Sequence, residues 1–301
     1  MSMTSKFANT LAIAVASGLL ALNALALPAN GESNHEASPP EPVVKGIGKG
    51  LFEIGPLLHE DDFSDLDQWS VQVQSTGANV PDARVEAKDN QLEVFVPARG
   101  ATVWFKPRLS GPVAIVYQVR APEMPDTPGI VPRDVNNFWH MRVPPGKEMP
   151  DTVFDNSRYT GNFGSYHELE GYYASTGGRD KTTTRFRRYP REIDGKPVDH
   201  ISLQSRDHKE AYLLTPGKPH TVQFAAYNGN VQYIVDGKVV YEIRHGDTVM
   251  IDRPGKERAK VRYTRERFPA YTDGWFGFRM TTSYHIYSNF RVYRLKPAKA
   301  K

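Results

Sequence analysis

The 301-residue sequence has no cysteine, which excludes disulfides and a lipid-anchored cysteine and leaves core burial to stabilise a chain long enough to supply it. After the N-terminus it lacks long stretches of helical 3.6-residue periodicity. The apolar run at residues 10–22 is shorter than the ~20 residues a membrane-spanning helix needs. There is no P-loop, no His-Glu-x-x-His helix and no Gly-x-Ser-x-Gly elbow. His200, His208, His220 and His245 lack a metal-binding spacing, and no repeat of fixed period points to a propeller. The charge excess is small, with 38 Lys and Arg against 34 Asp and Glu, whereas a nucleic-acid binder concentrates its charge further. No nucleic-acid partner is expected.

What is present favours strands. Tyr (15) and Phe (14) are plentiful, and Gly (24) and Pro (23) punctuate the chain throughout. The first 26 residues follow the secretory pattern: Lys6, the apolar run 10–22, then Ala24-Leu25-Ala26 as a small-x-small cleavage site. The mature chain is expected to start near Leu27 and to be secreted or periplasmic, without stable membrane insertion. Residues 27–56 read as a flexible leader and lead-in segment, 57–296 as one domain, and 297–301 as a basic tail.

Within 57–296 the strand signals are regular. Residues 57–71 read as an edge strand and turn anchored by Phe63, Leu66 and Trp69. Residues 83–97 form a hairpin turned at Asp89-Asn90, with Leu92, Val94 and Val96 alternating against polar neighbours. Segments 101–109 and 111–121 are the next two strands, the second nearly all apolar and therefore central. A proline-rich loop, 122–135, precedes a strand at 136–143, and further strands lie at 200–207, 220–244, 273–281 and 284–295. Asn228-Gly229 and Asp236-Gly237 mark tight hairpins, and 246–270 reads as a charged insertion. A dozen or more short strands predict an all-β, two-sheet antiparallel jelly roll.

Chemistry-bearing side chains concentrate between Asn136 and Arg188, where Arg179 and Lys181 join the residues below. If 166–173 is a strand, alternation puts Tyr166, Glu168, Glu170 and Tyr172 on one face and His167 and Tyr173 on the other. The same rule puts His140 and Arg142 opposite Trp139 and Met141. An exported protein with a local basic surface suits an acidic polysaccharide. Eliminating across a uronate requires neutralising its carboxylate, removing the adjacent carbon acid's proton and protonating the departing oxygen. Arg142 with Arg185 or Arg187 suits the first task; Asn137 and Tyr173 are further candidate contacts. His140 suits the second and Tyr172 or Tyr166 the third, and His167 replaces His140 if the face assignment slips by one residue. The alternatives are hydrolysis by Glu168 and Glu170, whose α-carbons would lie ~6.5–7 Å apart on a strand, and sugar binding without catalysis, with the aromatic residues stacking on rings.

The order of EDDFSDLDQW (60–69), KPHTVQFAAYNGNVQYIVDGKVVYEI (218–243), GWFGFRM (274–280) and SNFRVYRL (288–295) resembles concanavalin A-like jelly rolls. With YHELEGYY, TRFRRYP and HISLQSRD, the chain looks like the YesU-like group of bacterial jelly rolls and its relatives of unassigned function, which implies pectic or other acidic polysaccharide breakdown but supplies no catalytic residues. HELEGYY also looks like a weakened form of the Glu-x-Asp-x-x-Glu strand of laminarinase-like hydrolases, with Tyr172 in place of the last carboxylate. The fold resemblance implies a structural calcium held against the first strand by an acidic residue where Ser288 stands here; Asp61, Asp62 and backbone carbonyls could still bind it through oxygen ligands. No cofactor is expected for catalysis.

Overall fold

The computed structural model describes residues 52–75, 83–127, 129–147, 152–178, 182–205 and 214–298. The expected signal segment, the expected leader as far as residue 51, Arg179, Lys181 and residues 299–301 lie outside the described residues. In chain order the strands are β1 (Phe52–Asp61), β2 (Trp69–Val73), β3 (Arg84–Lys88), β4 (Gln91–Phe105), β5 (Leu109–Ser110), β6 (Val113–Arg120), β7 (Val135–Arg142), β8 (Glu170–Gly177) and β9 (Thr183–Tyr189). They continue with β10 (Glu192–Ile193), β11 (Lys196–Pro197), β12 (His200–Gln204), β13 (His220–Tyr227), β14 (Asn230–Val235), β15 (Lys238–Ile243), β16 (Thr248–Arg253), β17 (Lys256–Arg262) and β18 (Asp273–Pro297).

All described strand pairs are antiparallel, and they build the two-layer jelly roll that the strand pattern predicts. In the front layer the order is β2, the second half of β4, the first half of β18, then β7, β8, β9, β12, β16 and β17. The back layer runs from β15 through β14, β13 and β6 to the second half of β18, which β1 and the first half of β4 border. The nearly all-apolar β6 is central, between β13 and β18. Between the layers lies the main core, with Trp69, Tyr117, Trp139, Phe224, Phe278 and Phe290 among its rings. Fully burying each large apolar side chain contributes roughly 1.5–3 kcal/mol.

Local chemistry explains the hairpins. Asp89 and Asn90 (φ 51° and 54°), Asn228 and Gly229 (φ 49° and 84°), and Asp236 and Gly237 (φ 49° and 71°) supply the paired left-handed residues that a two-residue turn between twisted strands requires. Where two strands were expected on either side of residues 97–100, β4 is continuous, and residues 273–297 are likewise one strand instead of two. Each carries a left-handed residue where it passes between layers: Arg99 (φ 65°) in β4, and Thr282 (φ 42°) at the register shift between Thr281 and Ser283 in β18. These bends let one continuous strand serve both layers.

Three further expectations are corrected. β1 starts at Phe52, inside the predicted lead-in segment, because Phe52 and Leu295 pack with Ala114 and Ala225 on the back layer's outer face. The charged stretch 246–270 contains the β16–β17 hairpin, which extends the front layer beyond β12. Residues 166–169 are not strand: Phe163–Tyr166 is a 3₁₀ turn whose cap, Asn162, accepts a hydrogen bond from Gly164 N at 2.9 Å. Segment 152–169 folds over the outer face of the front layer. There Val153, Tyr159, Tyr166 and Leu169 join Trp104, Phe138, Met141, Tyr173, Tyr189 and Trp275 in a second apolar cluster.

Candidate functional site

Strand register sets out two rows of side chains on the front layer's outer face. One reads Gln72, Thr102, Arg279, Asn136, Ser175, Arg185 and Gln204, each paired with the next across adjacent strands. At roughly 4.8 Å per strand, these seven polar residues cover ~29 Å. The neighbouring row reads Trp104, Gly277, Phe138, Tyr173, Arg187 and Ser202. Gly277 is needed there, since a Cβ would lie 2.5 Å from the Trp104 ring, which stacks on Phe138 beyond it. Both rows are largely buried, with Trp104, Phe138 and Tyr173 packing against segment 152–169.

Phe163, carried over this face by the 3₁₀ turn, is the local hub. The Arg279 guanidinium lies 5.3 Å from its ring centre and that of Arg191 5.9 Å, while the rings of His167 and Tyr173 are 5.4 and 5.5 Å away. Arg187 sits 5.6 Å over Tyr173. Arg279 is 2% exposed and Arg187 8%, and among the described residues neither has a carboxylate at ion-pair distance. Their Nε atoms, Thr102 Oγ1 and Asn136 Oδ1 are buried without hydrogen-bond partners. Burial lowers the Arg279 pKa, with the more distant Asp134 carboxylate opposing it in part, and a buried cation without a counter-charge in contact is costly. The site is therefore poised to gain from an anion.

Burial also governs the proton carriers. It pushes Tyr173 up to about 12, against the pull of Arg187, and it raises Tyr189, against the pull of Arg187 and Arg191 beside its hydroxyl. His167 is held below its ordinary value by burial, with Arg191 adding to the effect and Glu192 opposing it. Both tyrosines therefore keep their protons at neutral pH while His167 is unprotonated.

Of the residues singled out from the sequence, Arg185, Arg187, Tyr173 and His167 belong to this face, with Tyr166 packed onto it. The others are elsewhere. His140, 1% exposed, takes φ 49° at a bulge between Trp139 and Arg142. Its Nδ1–H donates to Tyr271 O at 3.0 Å, and burial lowers its pKa to about 4. The bulge breaks the expected alternation: Phe138 and Met141 both enter the outer cluster while Trp139 enters the main core. Asn137 points inward and accepts from Tyr117 Oη at 2.6 Å. Tyr172 is also in the main core, its hydroxyl accepting from Tyr271 N at 3.2 Å.

Tyr166 donates to Gln72 Oε1 at 2.8 Å and accepts from Gly161 N at 3.1 Å. Glu168 precedes the strand and accepts from Arg158 Nη2 at 2.9 Å and Gly195 N at 2.7 Å. Glu170 accepts from Arg142 Nε at 2.9 Å, and Arg142 also donates to Asp273 at 2.9 Å. The expected common face of Tyr166, Glu168, Glu170 and Tyr172 is thus absent, because only the last two lie on β8. Each glutamate is neutralised by its own arginine.

Sequence reading missed Arg279, Arg191, Glu192, Phe163 and Tyr189. Arg279 carried a usable signal, as the one charge in the apolar alternation GWFGFRM. The others depend on how segments 152–169 and 190–198 meet.

Asp61 is a buried hydrogen-bond hub: Oδ1 accepts from Phe63 N at 2.7 Å, and Oδ2 from Gln68 Nε2 and Trp69 Nε1, both at 2.9 Å. Three of the roughly four acceptor directions of a carboxylate are therefore taken by N–H donors. Asp62 accepts from Ser64 N at 3.0 Å. This donor-facing arrangement does not fit calcium, and among the described residues no group of three His, Cys, Asp or Glu is placed to hold a metal ion.

Residues 95–251 match the family described as Domain of unknown function (DUF6250), just over half of the chain. No curated protein matches the sequence. A protein of unknown function with a galectin-like fold from Bacillus subtilis superposes with a TM-score of 0.56 at 14% identity, covering 82% of this chain and 100% of that one. The carbohydrate-binding module CBM66 from Bacillus subtilis gives 0.42 at 8% identity, covering 76% and 96%. The endo-β-1,3-glucanase from Pyrococcus furiosus gives 0.46 at 11%, covering 86% and 100%. Among the described residues no helix is long and apolar enough to cross a membrane.

Proposed function

We propose that this chain, which belongs to the DUF6250 family, is an exported protein that binds an acidic, uronate-containing polysaccharide on the outer face of the front layer and cleaves it by β-elimination. The observation that carries this reading is the pair of buried guanidinium groups, Arg279 and Arg187, beside unsatisfied polar atoms and with no carboxylate at ion-pair distance among the described residues. A uronate carboxylate would satisfy them through charge-assisted hydrogen bonds. Neutralising that carboxylate acidifies the neighbouring C–H. The base takes this proton, the electron pair forms a C=C bond, and the glycosidic C–O bond breaks as its oxygen is protonated.

His167, neutral and partly accessible, suits the base, and Tyr189, protonated and buried beside Arg187 and Arg191, suits the acid where Arg191 moves aside to uncover it. His140, sealed inside the fold, does not serve this surface. The secretory pattern of residues 1–26 and the YesU-like resemblance support an exported, carbohydrate-directed role. Hydrolysis by Glu168 and Glu170 is disfavoured because both are committed to ion pairs. Binding without cleavage is the second reading, favoured by the same guanidinium groups, which would hold an acidic sugar without any proton transfer.

The test is absorbance near 235 nm, with product mass, on a panel of uronate polymers incubated with the mature protein. Unsaturated products that disappear in a His167→Ala variant support elimination. New reducing ends without unsaturation would overturn it in favour of hydrolysis, and retention without cleavage would leave a binding protein.

A further inference from the structure

His167 is held by two consecutive residues of another segment. Arg191 N and Glu192 N both donate to His167 O, at 2.8 and 3.2 Å. The side chain of Glu192 meets the imidazole at Nδ1 (2.7 Å), and that of Arg191 meets it at Nε2 (2.6 Å). The small β10–β11 hairpin, turned at Asp194 and Gly195, fixes this geometry, since Gly195 N also bonds Glu168, the residue after His167.

The protonation pattern follows from the partners. A guanidinium only donates, so Nε2 accepts and carries no proton; the proton is on Nδ1 and is donated to the Glu192 carboxylate. His167 is therefore a neutral, oriented base whose reactive lone pair is covered by Arg191. The cover is weakly committed: among the described residues Arg191 has no carboxylate at ion-pair distance, and its other neighbours here are the Phe163 ring and the Tyr189 hydroxyl. Guanidinium bonds a carboxylate, in bidentate fashion, more strongly than a neutral imidazole.

We propose that Arg191 is a removable cap on His167: the carboxylate of an acidic sugar draws the guanidinium away, freeing Nε2 as a base that Glu192 keeps in the Nδ1–H form. This rests on the elimination reading and makes the base available only when its substrate is bound. In the reaction Nε2 takes the proton from the sugar carbon, the new C=C bond forms as the C–O bond breaks, and Tyr189 protonates the departing oxygen. Transfer of the proton from the imidazolium to the tyrosinate restores both groups. Glu192 and Arg191 are positioning residues, since neither exchanges a proton with the sugar.

The test reads the lone pair directly, as the rate at which diethyl pyrocarbonate modifies His167, followed by peptide mass mapping of the folded mature protein. In the wild type, galacturonate or glucuronate is expected to speed modification about tenfold, the scale of one lost charge-assisted hydrogen bond, while galactose leaves it unchanged. Arg191→Gln is expected to be fast already and insensitive to uronate; Arg191→Lys, with a melting curve for each variant, guards against misfolding. Protection by uronate, an unchanged wild-type rate, or equal rates in wild type and folded Arg191→Gln would overturn the cap. If uronate-triggered reactivity holds but no polymer yields unsaturated product, elimination falls and the cap stands. If unsaturated product forms while His167 ignores uronate, only the cap falls.

Discussion

Trp104 stacks on Phe138 across Gly277, with ring centroids 5.4 Å apart and planes inclined by 14°. The stack forms the floor on which segment 152–169 rests, with Tyr166 meeting Trp104 edge-on at 5.8 Å. Gly277→Ala drives a methyl into the indole and is expected to cost about 1–3 kcal/mol, the usual range for overpacking. Denaturant unfolding checks the cost, and loss of near-ultraviolet circular dichroism checks that the stack has moved.

Two histidines make the fold acid-sensitive. His140 and His285 are buried, and burial lowers both to about 4; in His285, Nδ1 meets Tyr287 Oη and Nε2–H donates to Arg133 O, a bond that opposes the burial in part. The unfolded chain takes up protons near pH 6.5 and the folded chain does not, so stability falls as pH drops from about 6.5 to about 4. Each histidine contributes about 3 kcal/mol to that loss, at 1.36 kcal/mol per pH unit. Urea midpoints measured across this window check the slope, and a flat profile would remove the assignment.

Asp61→Asn replaces one acceptor oxygen of the Phe63, Gln68 and Trp69 bonds with a donor. It is expected to cost about 2–4 kcal/mol, since bonds to charged groups contribute about 1.5–3 kcal/mol each. Chelator is expected to leave the wild-type melting temperature unchanged. A fall with EDTA that calcium reverses would restore the metal reading of Asp61 and Asp62.

Arg187→Ala and Arg279→Ala are each expected to weaken uronate oligosaccharide binding roughly 10–100-fold, the scale of one charge-assisted contact. Arg142→Ala, which breaks pairs with Glu170 and Asp273 at the rim, is expected to leave binding nearly intact. Titration calorimetry separates them, and a larger effect at Arg142 would move the site to that rim.

The lowered pKa of His167 puts the acid limb of kcat/KM below pH 6.5, where imidazolium forms, and the raised pKa of Tyr189 puts the alkaline limb above 10. Activity on a uronate polymer is expected to form a broad plateau between these limits. An acid limb above pH 6.5 would point to another base.

Alternation and turn chemistry in the sequence determined the class of fold. Leu92, Val94 and Val96 had to face one side, and Asp89-Asn90, Asn228-Gly229 and Asp236-Gly237 had to reverse the chain, because these are properties of adjacent residues. The local composition also located Arg185, Arg187, Tyr173 and His167 near one another. Which face each side chain takes was decided by tertiary structure. A bulge at His140 turns that side chain inward, and the Asn162-capped 3₁₀ turn removes Tyr166, His167 and Glu168 from the strand; period-two alternation cannot survive either irregularity. Arg279 comes from a strand more than ninety residues further on, and it reaches Phe163 only because β18 runs between β4 and β7. The grip of Arg191 and Glu192 on His167 likewise needs two segments to meet, and no spacing along the chain encodes such a meeting.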